Sequence, residues 1–218
     1  MARLTTKQKT QLNNMNKAAQ KGTLGTRIDS LEYGGVASPA AGSIAPASVV
    51  KYRTAPVLGT AVYVHAAIPL TAAGGGQDIT TGITNPDVPR IVSAKANAGG
   101  CSGNVVISGT DFNGAAITDT IALSGASEID GVKAFKTVTN IHVPPETHGG
   151  TDTVSIGVHD QIGLPVLVYN TGQVLVKNFD GAVDAGTVAT SGTLPTSLYT
   201  PAGTLNGVKF VDLYFVVI

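Results

Sequence analysis

The stretch VVISGTDFNGAAITDTIALSG, residues 105–125, decides how the rest of the chain is read. Two runs rich in Val, Ile and Thr flank Asn113-Gly114, and such residues suit a pleated, half-buried surface. Asn-Gly supplies the pair of positive φ angles that a two-residue type I′ turn demands. The spacing therefore predicts a β-hairpin centred on those two residues. Period two puts Ile117, Ile121 and Leu123 on one face and Thr118 and Thr120 on the other. Asp119 falls among the isoleucines, a position expected at a sheet rim. Neither run offers a residue suited to difficult chemistry, so the hairpin reads as part of a sheet and not as a binding loop.

The same code extends outward. From about residue 50, short Val-, Ile- and Thr-rich runs recur between Gly, Asn, Asp and Pro: AVYVHAAIPL, RIVSAKA, KAFKTVTNIHV, DTVSIGV, PVLVYN, QVLVKNF and the closing FVDLYFVVI. Regular short strands with turn signals between them predict an all-β body, a β-sandwich or barrel. No helical stripe of useful length separates the runs, which argues against parallel βαβ units. A break near Gly99-Gly100 allows one body or two small β subdomains dividing near residue 100.

The N-terminal end is written differently. Residues 5–20 contain neither Gly nor Pro, and Leu12, Met15 and Ala19 fall at helical spacing; Leu24, Ile28 and Leu31 repeat that spacing after Gly22. Arg3, Lys7, Lys9, Lys17, Lys21 and Arg27 oppose only Asp29 and Glu32, so residues 1–32 carry +4. The other eight basic and twelve acidic residues leave −4 on the remainder. We read residues 1–33 as a basic, partly helical arm, residues 34–49 (GGVASPAAGSIAPASV) as an extended linker, and residues 50–218 as the β-rich body. A stripe that thin buries little alone. The arm's basic and apolar positions are therefore the expected partner-binding residues.

Composition narrows the function. Charged residues make up 13% of the 218, against roughly 25% in ordinary soluble domains. A surface of small neutral side chains costs little to desolvate, so it suits packing against copies or partners. Cys101 is the lone cysteine, which rules out an internal disulfide and a cysteine zinc cluster. The first residues lack the apolar core of a signal peptide, and no run reaches the roughly 18 apolar residues of a membrane span. Synthesis in the cytoplasm is the expectation.

Few constellations suggest chemistry. HVPPETHGGTD gathers His142, Glu146, His148 and Asp152, yet Pro144-Pro145 forbids the helix that would align an HExxH pair. A polar connection between strands is the plainer reading. His65 sits within a strand run, and His159 and Asp160, being adjacent, should point to opposite faces. No GxSxG elbow occurs. GGGQD, residues 74–78, lacks a phosphate-loop frame, and Asp180 and Asp184 in NFDGAVDAG read as turn residues. The aromatic residues do not alternate with Lys or Arg along the chain, so nucleic-acid binding is not expected.

The hairpin phrase, followed by EIDGVKAFKTVTNIHVP and by the closing TSLYTPAGTLNGVKFVDLYFVVI, resembles a β-rich module of tailed-bacteriophage virion proteins. MARLTTKQK is similar to the openings of several phage head proteins. The resemblance covers roughly residues 90–218. It implies a structural role in the virion, not an enzyme, most closely a head decoration (auxiliary capsid) protein. Such proteins oligomerise, often as trimers, on the major capsid protein with an N-terminal arm over the shell. It implies no catalytic residue, cofactor or metal, and neither a membrane nor a specific nucleic acid as partner. A neck, collar or tail-fibre component and a glycan-binding β-sandwich are the alternatives, the latter weakened by the absence of Trp.

Overall fold

The structure is a computed structural model that describes residues 48–71 and 74–217. The arm, with Arg3, Lys7, Lys9, Leu12, Met15, Lys17, Ala19, Lys21, Leu24, Arg27, Ile28 and Leu31, lies outside the described residues. Ser48–Val217 forms one compact unit. Its first strand begins inside the stretch read as linker.

Among the described residues, fourteen strands follow in chain order: β1 (Ser48–Thr54), β2 (Thr60–Pro69), β3 (Gln77–Ile79), β4 (Arg90–Ala96), β5 (Asn104–Thr110), β6 (Ala116–Ala122), β7 (Ile129–Phe135), β8 (Thr137–Val143), β9 (Thr153–Gly163), β10 (Val174–Phe179), β11 (Ala182–Val183), β12 (Thr187–Ala189), β13 (Leu198–Thr200) and β14 (Val211–Val217). The only helical pieces described are two 3-10 turns, Thr171–Gln173 and Leu194–Thr196. Every strand pairing is antiparallel. Three sheets result, ordered β1-β14-β10-β11, β12-β13-β9-β4-β7 with β2 also on β9, and β3-β8-β5-β6.

Two large cores fill the body, beside a small cluster of Ile91, Ala134 and Leu198. Val64, Ile68, Val92, Ala94, Val105, Ile107, Ile121, Phe135, Ile141, Val154, Ile156 and Val158 form the first, with strands of the second and third sheets contributing. Ile162, Leu164, Val168, Tyr199, Leu205, Val211, Leu213 and Phe215 form the second, beneath the first sheet. Burying each such side chain stabilises the fold by about 1.5–3 kcal/mol. The eleven-residue β9 supplies both cores, Val154 to Val158 to one and Ile162 to the other. No boundary falls near residue 100: Ala96 and Cys101, on either side of Gly99-Gly100, share the first core. The second core is instead assembled from chain segments far apart in sequence.

The 105–125 hairpin forms as β5 and β6, paired from Asn104↔Ala122 to Thr110↔Ala116. Its turn differs from the expected one. Asp111 carbonyl accepts from Gly114 N–H (3.1 Å) and Asp111 N–H donates to Ala115 carbonyl (2.9 Å), with only Gly114 at positive φ, +84°. That is a three-residue loop, a type I turn closed by a glycine bulge. The two-residue turn with both φ angles positive occurs at Asp180-Gly181 between β10 and β11, at +52° and +82°.

Asp119 faces inward as its period requires and lies on β6, the edge strand of the third sheet, where it is nevertheless buried. Its carboxylate accepts from the backbone N–H groups of Val132 (2.7 Å) and Lys133 (3.0 Å) on β7. It thereby satisfies two N–H groups of β7, the edge strand of the second sheet, and closes the seam between the third sheet and the second.

Candidate functional site

The acidic and histidine-rich loop after β8 holds itself in place. Glu146 carboxylate accepts from the backbone N–H of His148 (3.2 Å), Gly149 (3.2 Å) and Asp152 (3.3 Å). His148 Nδ1 lies 3.1 Å from Asp152 Oδ2. The Cys101 thiol and then the neighbouring groups, His148 among them, hold the Asp152 carboxyl below the usual carboxylate range. Burial, and then the same carboxylate, push the Cys101 thiol up. A thiol so placed stays protonated and is a poor nucleophile. His142 does not join them: its Nδ1 is 3.0 Å from Asp78 Oδ1 across the β3–β8 pair. Among the described residues, no three or more His, Cys, Asp or Glu side chains are grouped to hold a metal ion.

His159 and Asp160 do diverge to opposite sides of β9. Asp160 Oδ1 takes Arg90 Nη2 at 2.9 Å and the N–H of Gly59 at 2.9 Å. Arg90 is fully buried. It also donates to Asp87 (3.1 Å), the Val57 carbonyl (2.8 Å) and the His159 carbonyl (2.9 Å). All its bonds serve to join the β1–β2 loop to β4 and β9, a structural use of a buried charge whose donors are satisfied. His65, on β2, contacts its neighbour Ala66 carbonyl at 3.1 Å.

The sequence reading missed a different cluster. Glu128 accepts from Ser93 Oγ at 2.6 Å, and Asp130 Oδ2 lies 3.6 Å from His159 Nδ1. Burial raises the Asp130 carboxyl, His159 opposes that, and Glu128 adds to it. Ser93 is wholly buried and donates its hydroxyl hydrogen bond to the Glu128 carboxylate. Only the i, i+2 spacing of Glu128, just before β7, and Asp130 within it hinted at this arrangement. Ser93 and His159 reach it through strand pairing, with Ser93 opposite both Gly157 and Asp130.

The two Gly-rich stretches set aside as phosphate or calcium loops are accounted for. Gln77 and Asp78 of GGGQD lie in β3. Asp184 is buried, accepts from Tyr199 Oη and Ala202 N–H, and is not presented to solvent. Burial, and secondarily that carboxylate, raise the Tyr199 phenol.

Four cations sit over aromatic rings distant in the chain. Arg53 Cζ is 4.0 Å from the Phe210 ring centre, Lys51 Nζ 5.4 Å from Tyr214, Lys209 Nζ 5.6 Å from Phe179, and Lys136 Nζ 5.9 Å from Phe112. Three of these pairs belong to the first sheet and the turn leading into β14. Phe112, at the tip of the β5–β6 hairpin, packs edge-on against Tyr52 of β1 with ring centres 5.7 Å apart. The hairpin tip thus grips the body itself. Burial pushes the Tyr52 phenol up to about 12. Exposed apolar side chains crowd the same end: Leu58, Val208 (73% exposed) and Phe210.

No family model, no curated protein and no solved structure matches the chain. Among the described residues, no helix is long and apolar enough to cross a membrane.

Proposed function

We propose that this chain is a non-enzymatic structural protein of a tailed-phage particle, decorating or reinforcing the capsid as an oligomer, a trimer foremost. Its N-terminal arm is the anchor on the major capsid protein or another virion protein, and assembly occurs in the host cytoplasm. We read the antiparallel body as a β-sandwich with barrel-like curl, preceded by a partly helical arm.

The observation that carries the reading is the use made of the polar side chains. Glu146 and Asp119 spend their hydrogen bonds on backbone groups, Asp184 on backbone and Tyr199, and Arg90 on backbone carbonyls, Asp87 and Asp160. They brace loops and seams, which suits a component of a rigid shell. Thr118, Thr120, Ala122 and Thr139 of the third sheet are small, exposed and uncharged, which suits close packing on a neighbour. The resemblance of residues 90–218 to virion modules supplies the biological setting.

Immunogold labelling of purified particles of the phage that encodes the chain tests this. Label spread over the head is the expected result. Label confined to the neck or tail would move the protein there, and unlabelled particles would overturn the virion reading. Deleting residues 1–33 should strip the label from heads. Full occupancy by the truncated chain would dismiss the arm as anchor.

A further inference from the structure

We propose that Asn113 is a site of spontaneous modification: it deamidates through a cyclic imide with Gly114, and the product loosens the hairpin tip's hold on β1. This chemistry rests on the turn alone and is independent of the virion reading above.

The chain has two Asn-Gly pairs, at residues 113–114 and 206–207. Ring closure needs the glycine amide nitrogen to reach the asparagine Cγ, and glycine, with no Cβ, hinders that approach least. Both asparagines are exposed, so exposure does not separate them. Their surroundings do. Asn206 Oδ1 accepts from Val208 N–H (3.0 Å) and Lys209 N–H (2.8 Å), which holds the carboxamide in place. Gly207 N–H donates to the Pro56 carbonyl at 2.9 Å, and Val57 Cγ1 would lie 3.1 Å from a Cβ on Gly207, so that turn is packed from the side as well.

At Asn113 the backbone N–H donates to Asp111 Oδ1 (2.9 Å), and among the described residues no hydrogen bond engages the carboxamide. Gly114 N–H makes one bond, to the Asp111 carbonyl at 3.1 Å, and nothing lies within 4 Å of the position a Cβ would take there. One bond at an open tip must therefore break at the first pair, against three bonds in a packed turn at the second.

Water is the only co-reactant needed. Gly114 nitrogen gives its proton to solvent and bonds to Asn113 Cγ, closing a five-membered imide. The carboxamide nitrogen takes up a proton and leaves as ammonia. Water then opens the ring at one of two bonds. Breaking the bond to Cγ gives aspartate on the original backbone. Breaking the bond to the main-chain carbonyl gives isoaspartate, with an extra methylene in the backbone. The three-residue loop has a fixed register, which that methylene breaks. Phe112, next to Asn113, packs edge-on against Tyr52 with ring centres 5.7 Å apart, and its carbonyl accepts from Lys136 Nζ at 3.3 Å. The isoaspartate form loses both contacts, and the tie between hairpin and β1 goes with them.

Peptide mapping by mass spectrometry, on the full chain incubated in native buffer and in denaturant, is the test. In denaturant the two sites should convert at similar rates, since both are Asn-Gly. In the native chain Asn113 should convert at least tenfold faster than Asn206, and faster still as pH rises, because the Gly114 nitrogen must lose its proton. Hydrogen exchange of the aged chain should then show lost protection at the β5–β6 tip and in β1. Asn113→Asp, with its backbone unaltered, should exchange like fresh wild type. Equal native rates at the two sites, or an Asn113 that stays intact in native buffer after the denatured chain has converted, overturn the proposal. So does unchanged exchange in a converted chain. Neither result alters the gold label on heads, which tests the virion reading separately.

Discussion

The two cores of the body are built by opposite routes. The first draws on strands that follow one another from β2 to β9, and its central hairpin closes over a three-residue loop. The second joins β1 to residues beyond 160, pairing Tyr52 with Leu213 and Val50 with Phe215 across most of the chain. Loop-closure entropy makes the second assembly slower and dependent on a surface already formed. β9 provides that surface, because its first half belongs to one core and its end to the other. Arg90 and the Phe112–Tyr52 contact then tie the late region to the early one. A β protein of this kind becomes one unit through a few non-local ties placed between locally legible parts.

The strongest way to break the pairing of regions is Arg90→Ala. It strands Asp160 and Asp87 and frees the carbonyls of Val57 and His159. A loss of about 3–5 kcal/mol is expected, read by denaturant unfolding. A change within error would mean that the two cores are not joined there.

Next come Ile107→Ala in the first core and Leu213→Ala in the second, both fully buried. Each should cost about 2–5 kcal/mol. If β9 couples the cores, calorimetry should give one shifted transition for either variant. Two resolved transitions in the Leu213 variant would show that the regions unfold separately.

Gly114→Val sharpens the comparison locally. Nothing lies within 4 Å of the added Cβ, so the cost comes from φ +84° alone, about 1–2 kcal/mol. The same change at Gly181, φ +82° in the second region's two-residue turn, should cost a similar amount. Equal melting of wild type and Gly114 variant would contradict the turn described.

The smallest effect is on pH dependence. Asp152 has a folded pKa below its ordinary 3.8. Its contribution to stability is therefore present above that value and is lost as pH falls through the folded pKa. Asp152→Asn should flatten the acid limb of the stability curve below 3.8. A limb of unchanged slope would argue that the loop is held by Glu146 alone.

How far the sequence could be read follows the same division. The 105–125 hairpin was legible, because alternation and a turn signal sit within one short span. Its turn type was not. Asp111 Oδ1 accepts from the N–H groups of Asn113 and Ala115, both at 2.9 Å, and Asp at the first position with Gly at the fourth favours type I. Asp-Gly at residues 180–181 has no such side-chain brace on its loop, and there the two-residue turn appears. For the polar clusters, Glu146 with His148 and Asp152 was visible because the three are near neighbours in the chain. Ser93 with Glu128 was not, because 35 residues separate them.

Alternation, turn residues and the low charge by themselves determined an antiparallel all-β body, since strand faces and φ preferences are local properties of a few residues. Tertiary structure alone decided where Arg90 goes, that Asp119 seals a seam and that cations sit over aromatic rings. Those outcomes depend on strand order and register, which bring together groups whose spacing in the sequence carries no signal.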